Sequence, residues 1–216
     1  MAFATIDVTK GITGTIPVAN GGTGLASGTA DQYLKFTGTT TLASAAVASD
    51  FVLIQSQSTT SAASLSFTTS FDGTYDTHVF VVNNLEGASD GEDLYCRVLT
   101  GSGGSTENTG GYVYALQGFS ADGSARTAES TSTSKIVLLP DVDNYATYKS
   151  GLTLWLGKPD EAVLKRMWWV GGVERDSAGS NTTWNGSACW TDGTGAITGM
   201  KFYMASGNFG TVTINH

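Results

Sequence analysis

Beyond Phe51 the chain alternates apolar and polar residues in short runs, and clusters of Gly, Asp, Asn and Ser interrupt them. Alternation with period two puts one set of side chains on each face of an extended strand. In Gly151-Leu152-Thr153-Leu154-Trp155-Leu156-Gly157 the leucines share a face. In Leu164–Val170 the set Leu164, Arg166, Trp168, Val170 opposes Lys165, Met167, Trp169. Large apolar groups on both sides predict a strand covered on both faces. Strands are also predicted at Phe51–Gln55, Ala63–Phe67, Thr77–Asn83, Asp93–Leu99, Tyr112–Gln117 and Lys135–Leu139. Further strands follow at Leu152–Leu156, Val163–Val170, Ser187–Trp190, Ile197–Met204 and Thr211–Ile214. Phe71-Asp72-Gly73, Ser89-Asp90-Gly91, Gly101–Gly104, Ala121-Asp122-Gly123 and Asp192-Gly193 supply the turns, because these residues tolerate positive φ. One weak helix candidate, Pro159–Leu164, is too short to change the class. The pattern predicts an all-β protein, a jelly-roll-like β-sandwich over 51–216.

Residues 1–50 differ in character. They contain no Trp, Cys, His, Arg or Glu, and short apolar triplets such as Ile16-Pro17-Val18 sit between Gly and Thr clusters. Such a segment buries too little surface to fold alone. It is either a flexible leader or an extended stalk ordered against other chains. The whole chain of 216 residues has 28 glycines, only 14% charged residues and a net charge of −8. An acidic chain without a Lys/Arg run repels phosphate backbones, so nucleic acid is not an expected partner. No apolar stretch approaches a membrane span, and the N-terminus lacks the basic start and apolar run of a secretory signal.

Two stretches carry a resemblance. Gly-Thr-Ile-Pro-Val-Ala-Asn-Gly-Gly-Thr-Gly at 14–24 is followed by Ala30-Asp31-Gln32-Tyr33-Leu34-Lys35-Phe36-Thr37-Gly38-Thr39. This pairing resembles segments of the fibre proteins of tailed bacteriophages. Near the end, Ala196-Ile197-Thr198-Gly199-Met200-Lys201-Phe202-Tyr203 leads to Ser206-Gly207-Asn208-Phe209-Gly210-Thr211-Val212-Thr213-Ile214. That is similar to the closing strand pair of a phage fibre β-sandwich, with Asn215-His216 in place of the usual ending and a correspondingly shorter last strand. The two stretches cover about a fifth of the chain; the middle matches only in style.

The resemblance implies a homotrimer on a virion, made in a bacterial cytoplasm. Its N-terminal segment would attach to other virion proteins or intertwine with its copies. Within that segment, around Asn20, Gly21, Gly22 and Gly24 let backbones approach closely and Pro17 stiffens an extended chain. Ile12, Ile16, Val18 and Leu25 are the side chains to fill a narrow threefold axis. A head fibre or capsid decoration protein is the alternative within the same class. A glycan-degrading tailspike domain is the alternative from another.

The residues themselves offer little catalytic chemistry. Gly87-Ala88-Ser89-Asp90-Gly91 matches the nucleophile-elbow spacing, but a polar loop between two strands lacks the strand-to-helix context. Ser132-Thr133-Ser134-Lys135 matches S-x-x-K inside a Ser/Thr tract. His78 is expected on a sheet face, His216 as a mobile end, and Cys96 as a core thiol. The two cysteines are expected to be free, and no metal or cofactor is implied. Asp141-Val142-Asp143-Asn144 lacks the glycine and glutamate of an EF-hand loop. The expectation is a non-enzyme. Candidate receptor contacts are Trp184, Asn181 and Asn185, read as a polar loop in which an indole would stack on a sugar ring. The competing expectation, which the sequence favours, is that Trp184 covers the edge of its own sandwich or packs on a neighbouring subunit. Trp155, Trp168 and Trp169 read as core or subunit-interface residues.

Overall fold

The computed structural model describes residues 23, 25, 28–39, 41–45, 51–174 and 181–216. The chain divides into two compact units, Met1–Val52 and Leu53–His216. In the first, β1 (Tyr33–Phe36) and β2 (Leu42–Ala45) form an antiparallel hairpin with Tyr33 opposite Ala45 and Phe36 opposite Leu42. The Thr37 amide donates to the Thr41 carbonyl across its turn at 3.0 Å. Tyr33, Leu34 and Phe36 are exposed on this unit. Of the proposed stalk residues, Ile12, Ile16, Pro17, Val18, Asn20, Gly21, Gly22 and Gly24 lie outside the described residues. Leu25 is half-buried.

The second unit is built from strands β3 (Ser56–Thr59), β4 (Ser64–Phe67), β5 (Thr77–Gly87), β6 (Glu92–Thr100), β7 (Thr106–Glu107), β8 (Tyr112–Ser120) and β9 (Ala125–Thr133). They are followed by β10 (Ile136–Val142), β11 (Ser150–Gly157), β12 (Lys165–Val173), β13 (Thr182–Trp190), β14 (Gly199–Met204) and β15 (Phe209–Asn215). An eight-stranded sheet has the order β3-β15-β5-β11-β12-β13-β8-β9. A five-stranded sheet has the order β10-β6-β14-β4, with β7 also on β6. All these pairings are antiparallel.

The connectivity identifies the fold. Counting β3, β4, β5, β6, β10, β11, β14 and β15 as first to eighth, one sheet holds the first, eighth, third and sixth, and the other holds the second, seventh, fourth and fifth. That is the jelly-roll arrangement, in which successive strands cross between the sheets except at the fourth and fifth, which pair with each other. Two insertions widen it. The β8–β9 hairpin enters between β6 and β10, β12–β13 enters between β11 and β14, and all four strands extend the first sheet beyond β11.

Inward positions recur every second residue and fill the space between the sheets. Phe67 meets Phe80 and Phe202 edge-on, with centroids 5.6 and 5.9 Å apart. Trp169 Nε1 donates to the Leu138 carbonyl at 2.8 Å, linking β12 to β10 of the opposite sheet. Lys165 is fully buried, and its ammonium donates to the Glu161 carbonyl and, at 2.9 Å, to that of Val163. These bonds fix the 159–164 stretch as a series of bends, so the helix candidate there does not form and the strand begins at Lys165. Residues 51–55 are likewise not a strand. Ile54 and Gln55 donate their amides to the His216 carbonyl at 2.7 and 2.9 Å, and pairing in the sheet starts at Ser56.

The C-terminal end is not mobile. The last strand runs longer than its apolar core suggests, and His216 is buried behind it. Its ring stacks on Phe80 at 4.4 Å, and its Nε2 lies 2.6 Å from His78 Nδ1, so one nitrogen carries the hydrogen and the other accepts it. His78 points inward as well, stacked on Phe71 at 4.6 Å. Burial disfavours the charged imidazoles. It pushes His216 down to about 4, helped by the neighbouring His78, and it lowers His78 against the opposing pull of Asp160 and Asp72.

The sign of the pH effect follows. The unfolded chain takes up protons on these histidines below their ordinary 6.5, whereas the folded pair stays neutral until lower pH. Stability is therefore complete above about pH 7 and falls as pH drops toward 4, at up to about 1.4 kcal/mol per pH unit for each proton involved. Urea unfolding of the chain at pH 7.5, 6, 5 and 4.5 is expected to show this fall, and His216→Phe is expected to flatten it. A profile equally steep in the variant would contradict the assignment.

Candidate functional site

The structure brings Trp184 inside. It lies on β13, not in a loop, and is 4% exposed. In register it faces Gly171 of β12 on one side and Gly118 of β8 on the other. Gly118 must be small for the indole, since a Cβ there would come within 2.7 Å of it, whereas Gly171 must be small because a Cβ would meet Leu152 and the Gly151 carbonyl. Asn185-Gly186 suggests a hairpin turn, yet Gly186 sits mid-strand because the Trp169 ring, opposite in register, occupies the space of its side chain. Two large indoles thus pack over glycines on adjacent strands, and the inward set is Thr182, Trp184, Gly186, Ala188 and Trp190. Trp184 covers its own sandwich and cannot stack on a sugar. Asn181 and Asn185 are exposed, Asn181 at the start of β13 and Asn185 on its outward face, away from Trp184.

The other side of the same sheet carries the aromatic surface that the sequence missed. Trp168 and Val170 point outward from β12 and are 45% and 44% exposed, so this strand is covered on one face only in the single chain. The signal was parity: Trp169 belongs with buried Met167 and Lys165, which leaves Trp168 on the opposite face. A register row crosses the sheet there from Val79 through Trp155, Trp168, Ser187 and Ala115 to Glu129. The Trp155 and Trp168 rings lie 6.3 Å apart and within 3° of parallel. Beyond them the row drops to Ser187 and Ala115 and rises again at Glu129 on the edge strand β9. The outcome is an open trough of about 810 Å³ along β13 and β8, with Trp168 and Arg166 at one wall and Glu129 and Thr131 at the other. Its floor includes Cys189, which is half-buried and unpaired, whereas Cys96 is buried in the core.

The outward face of the smaller sheet is polar and aromatic but already paired. Arg97 and Lys201 both hold Glu107, Lys201 at 2.6 Å, and Lys135 lies 4.3 Å over the Tyr95 ring. Burial raises the Glu107 carboxyl, but hydrogen bonds from Lys201 and Arg97 outweigh that and hold it below its ordinary value. Ser89 lies in the loop that crosses from β5 of one sheet to β6 of the other, so the residues after it continue into a strand, not a helix. Among the described residues no group of three or more His, Cys, Asp or Glu converges to hold a metal. No helix among them is long and apolar enough to cross a membrane.

Comparison with known proteins finds no matching family model, no matching curated protein and no matching solved structure.

The two tryptophans separate by stability. Trp184→Ala is expected to cost about 3–5 kcal/mol by leaving a cavity between the sheets. Trp168→Ala is expected to cost less than about 1 kcal/mol, as for an outward residue. Urea unfolding of both variants checks this; similar losses would contradict the assignment of faces.

Proposed function

We propose that the chain is a non-enzymatic structural subunit of a tailed-phage virion. It is a homotrimeric fibre protein in which residues 1–50 attach to other virion proteins and the β-sandwich contacts the bacterial surface. The observation that carries this reading is a pairing within one chain. A Gly-rich Pro17-Val18-Ala19-Asn20-Gly21-Gly22-Thr23-Gly24 leader, similar to fibre segments, precedes a jelly roll whose last two strands carry the second resemblance. Chemistry supports the reading in a general way. Some charged groups at turns are spent on local pairs, as Lys158 is with Asp76 and Glu161. The sheet face with free aromatic surface suits non-covalent contact.

Three chains working together need a trimer contact, and the leader supplies it in this reading. Sedimentation equilibrium of the full chain at about 10–100 μM, a range that detects micromolar association, is expected to give three times the chain mass of 22.4 kDa. A chain beginning at Phe51 is expected to associate more weakly. A full chain that stays at 22.4 kDa across that range would remove the trimeric-fibre reading.

A further inference from the structure

We propose that the trough on the outward face of the eight-stranded sheet binds a short, uncharged bacterial-surface oligosaccharide, with Trp168 as its stacking wall. The inference rests on the reading of the chain as a fibre that touches the bacterial surface, and it names where and by what chemistry that touch occurs.

The trough is a product of side-chain size along one register row. Antiparallel strands lie about 4.8 Å apart, so the step from β12 across β13 and β8 to β9 spans about 14 Å. Bulky Trp168 stands at one end of that step and Glu129 at the other, while Ser187 and Ala115 leave the middle low. The next outward row repeats the form, with Arg166 beside Cys189 of β13. A volume of about 810 Å³ falls within the range of small-ligand clefts.

The walls specify the ligand class. The apolar face of an indole matches the C–H face of a pyranose, and hydroxyls need donors and acceptors around the rim. Trp168 supplies the first, while Ser187, Thr131, Arg166 and Glu129 supply the second. An apolar ligand would strip water from Arg166 and Glu129 with nothing in return. Net charge points the same way. One cation and one anion face each other across the trough, and the chain as a whole carries −8, which disfavours a polyanionic glycan. A protein partner is a poorer fit, because a stable protein interface takes about 800 Å² from each side and anchors seated in pockets. Here the sheet offers a recess lined by short side chains.

The site is also stiff before anything binds. Its Trp168 wall and its floor stand on the interior strands β12, β13 and β8, with only the Glu129 wall on the edge strand β9, and Trp155 stacks parallel beside Trp168. Trp168 then loses little rotamer freedom on binding, which favours affinity. Three such sites on one fibre would act together through multivalency.

The test uses the full chain and a glycan panel of cellotriose, maltotriose, chitotriose, N-acetyllactosamine, a rhamnose trisaccharide and a galacturonic acid trimer. Binding is followed by the indole N–H signals in NMR, assigned by single Trp→Phe variants. The expected result is that at least one neutral member shifts the Trp168 signal. Its affinity should fall about tenfold or more in Trp168→Ala and measurably in Arg166→Ala. Phe119→Ala, on the same face but at another row, should bind unchanged. Thermal unfolding confirms that each variant is folded. The proposal is overturned if no panel member shifts Trp168, if only the acidic trimer does, or if Trp168→Ala binds as well as the parent. It is also overturned if Trp168→Ala dissolves a trimer, because the face would then belong to a second copy. Sedimentation in the same samples separates the two readings. A monomer that binds at Trp168 keeps the site and loses the fibre, and a trimer that binds nothing loses the site alone.

Discussion

The second unit depends on the insertion of β14 and β15 between strands made much earlier in the chain. β14 lies between β6 and β4, and β15 lies between β3 and β5. Neither sheet closes without its inserted strand, because β4 reaches β6, and β3 reaches β5, only through it. The insertion is held by inward side chains on both strands. Met200, Phe202, Phe209, Val212 and Ile214 are all fully buried, and Phe202 joins Phe67 and Phe80 in the aromatic centre between the sheets. The carbonyl of His216 then ties the strand's end to residues 54 and 55, which lead into β3. Backbone pairing and aromatic packing thus close the same ring of contacts from two directions.

The four-strand extension obeys a second rule, that adjacent residues serve opposite faces. Trp168 and Trp169 are neighbours in sequence, yet one faces solvent beside Trp155 and the other hydrogen-bonds across the core to β10. Inward, indoles are accommodated by glycines on the next strand; outward, an indole stands beside serine and alanine. The first arrangement makes a dense interior and the second makes a recess. Both arise from unequal side-chain sizes placed in register, and neither needs a loop to form a site.

Much of the fold is legible in the sequence because alternation reports directly on a pleated sheet. The leucines of β11, the apolar core of β5 and the jelly-roll class follow from period two and turn residues. Boundaries were lost where a local signal conflicted with a distant one. Asn185-Gly186 has the chemistry of a turn, and only the Trp169 ring from the neighbouring strand explains a glycine there. Ala125–Thr133 is so rich in Ser, Thr and charge that it shows no apolar face, and it becomes an edge strand through β-branched threonines and pairing to β8. Phe51–Gln55 is apolar enough for a strand, but the backbone bonds of Ile54 and Gln55 go to His216, and ladder pairing begins only at Ser56. The candidate site was less legible still. A trough formed by residues from four strands has no contiguous motif, and the exposed tryptophan is distinguished from its buried neighbour only by parity.

The placement of β14 and β15 also has a consequence for synthesis. A ribosome makes chain from the N-terminal end, so β3 to β13 emerge while one slot in each sheet, second from the edge, is vacant. Hairpins such as β8–β9 and β11–β12 can form at once, since both partners are already out. The sandwich itself must wait for residues 199–215, and during that interval β3, β4, β5 and β6 present unpaired edges and an open aromatic interior. Nascent copies on one message would meet in this state, at high local concentration, before any of them is sealed.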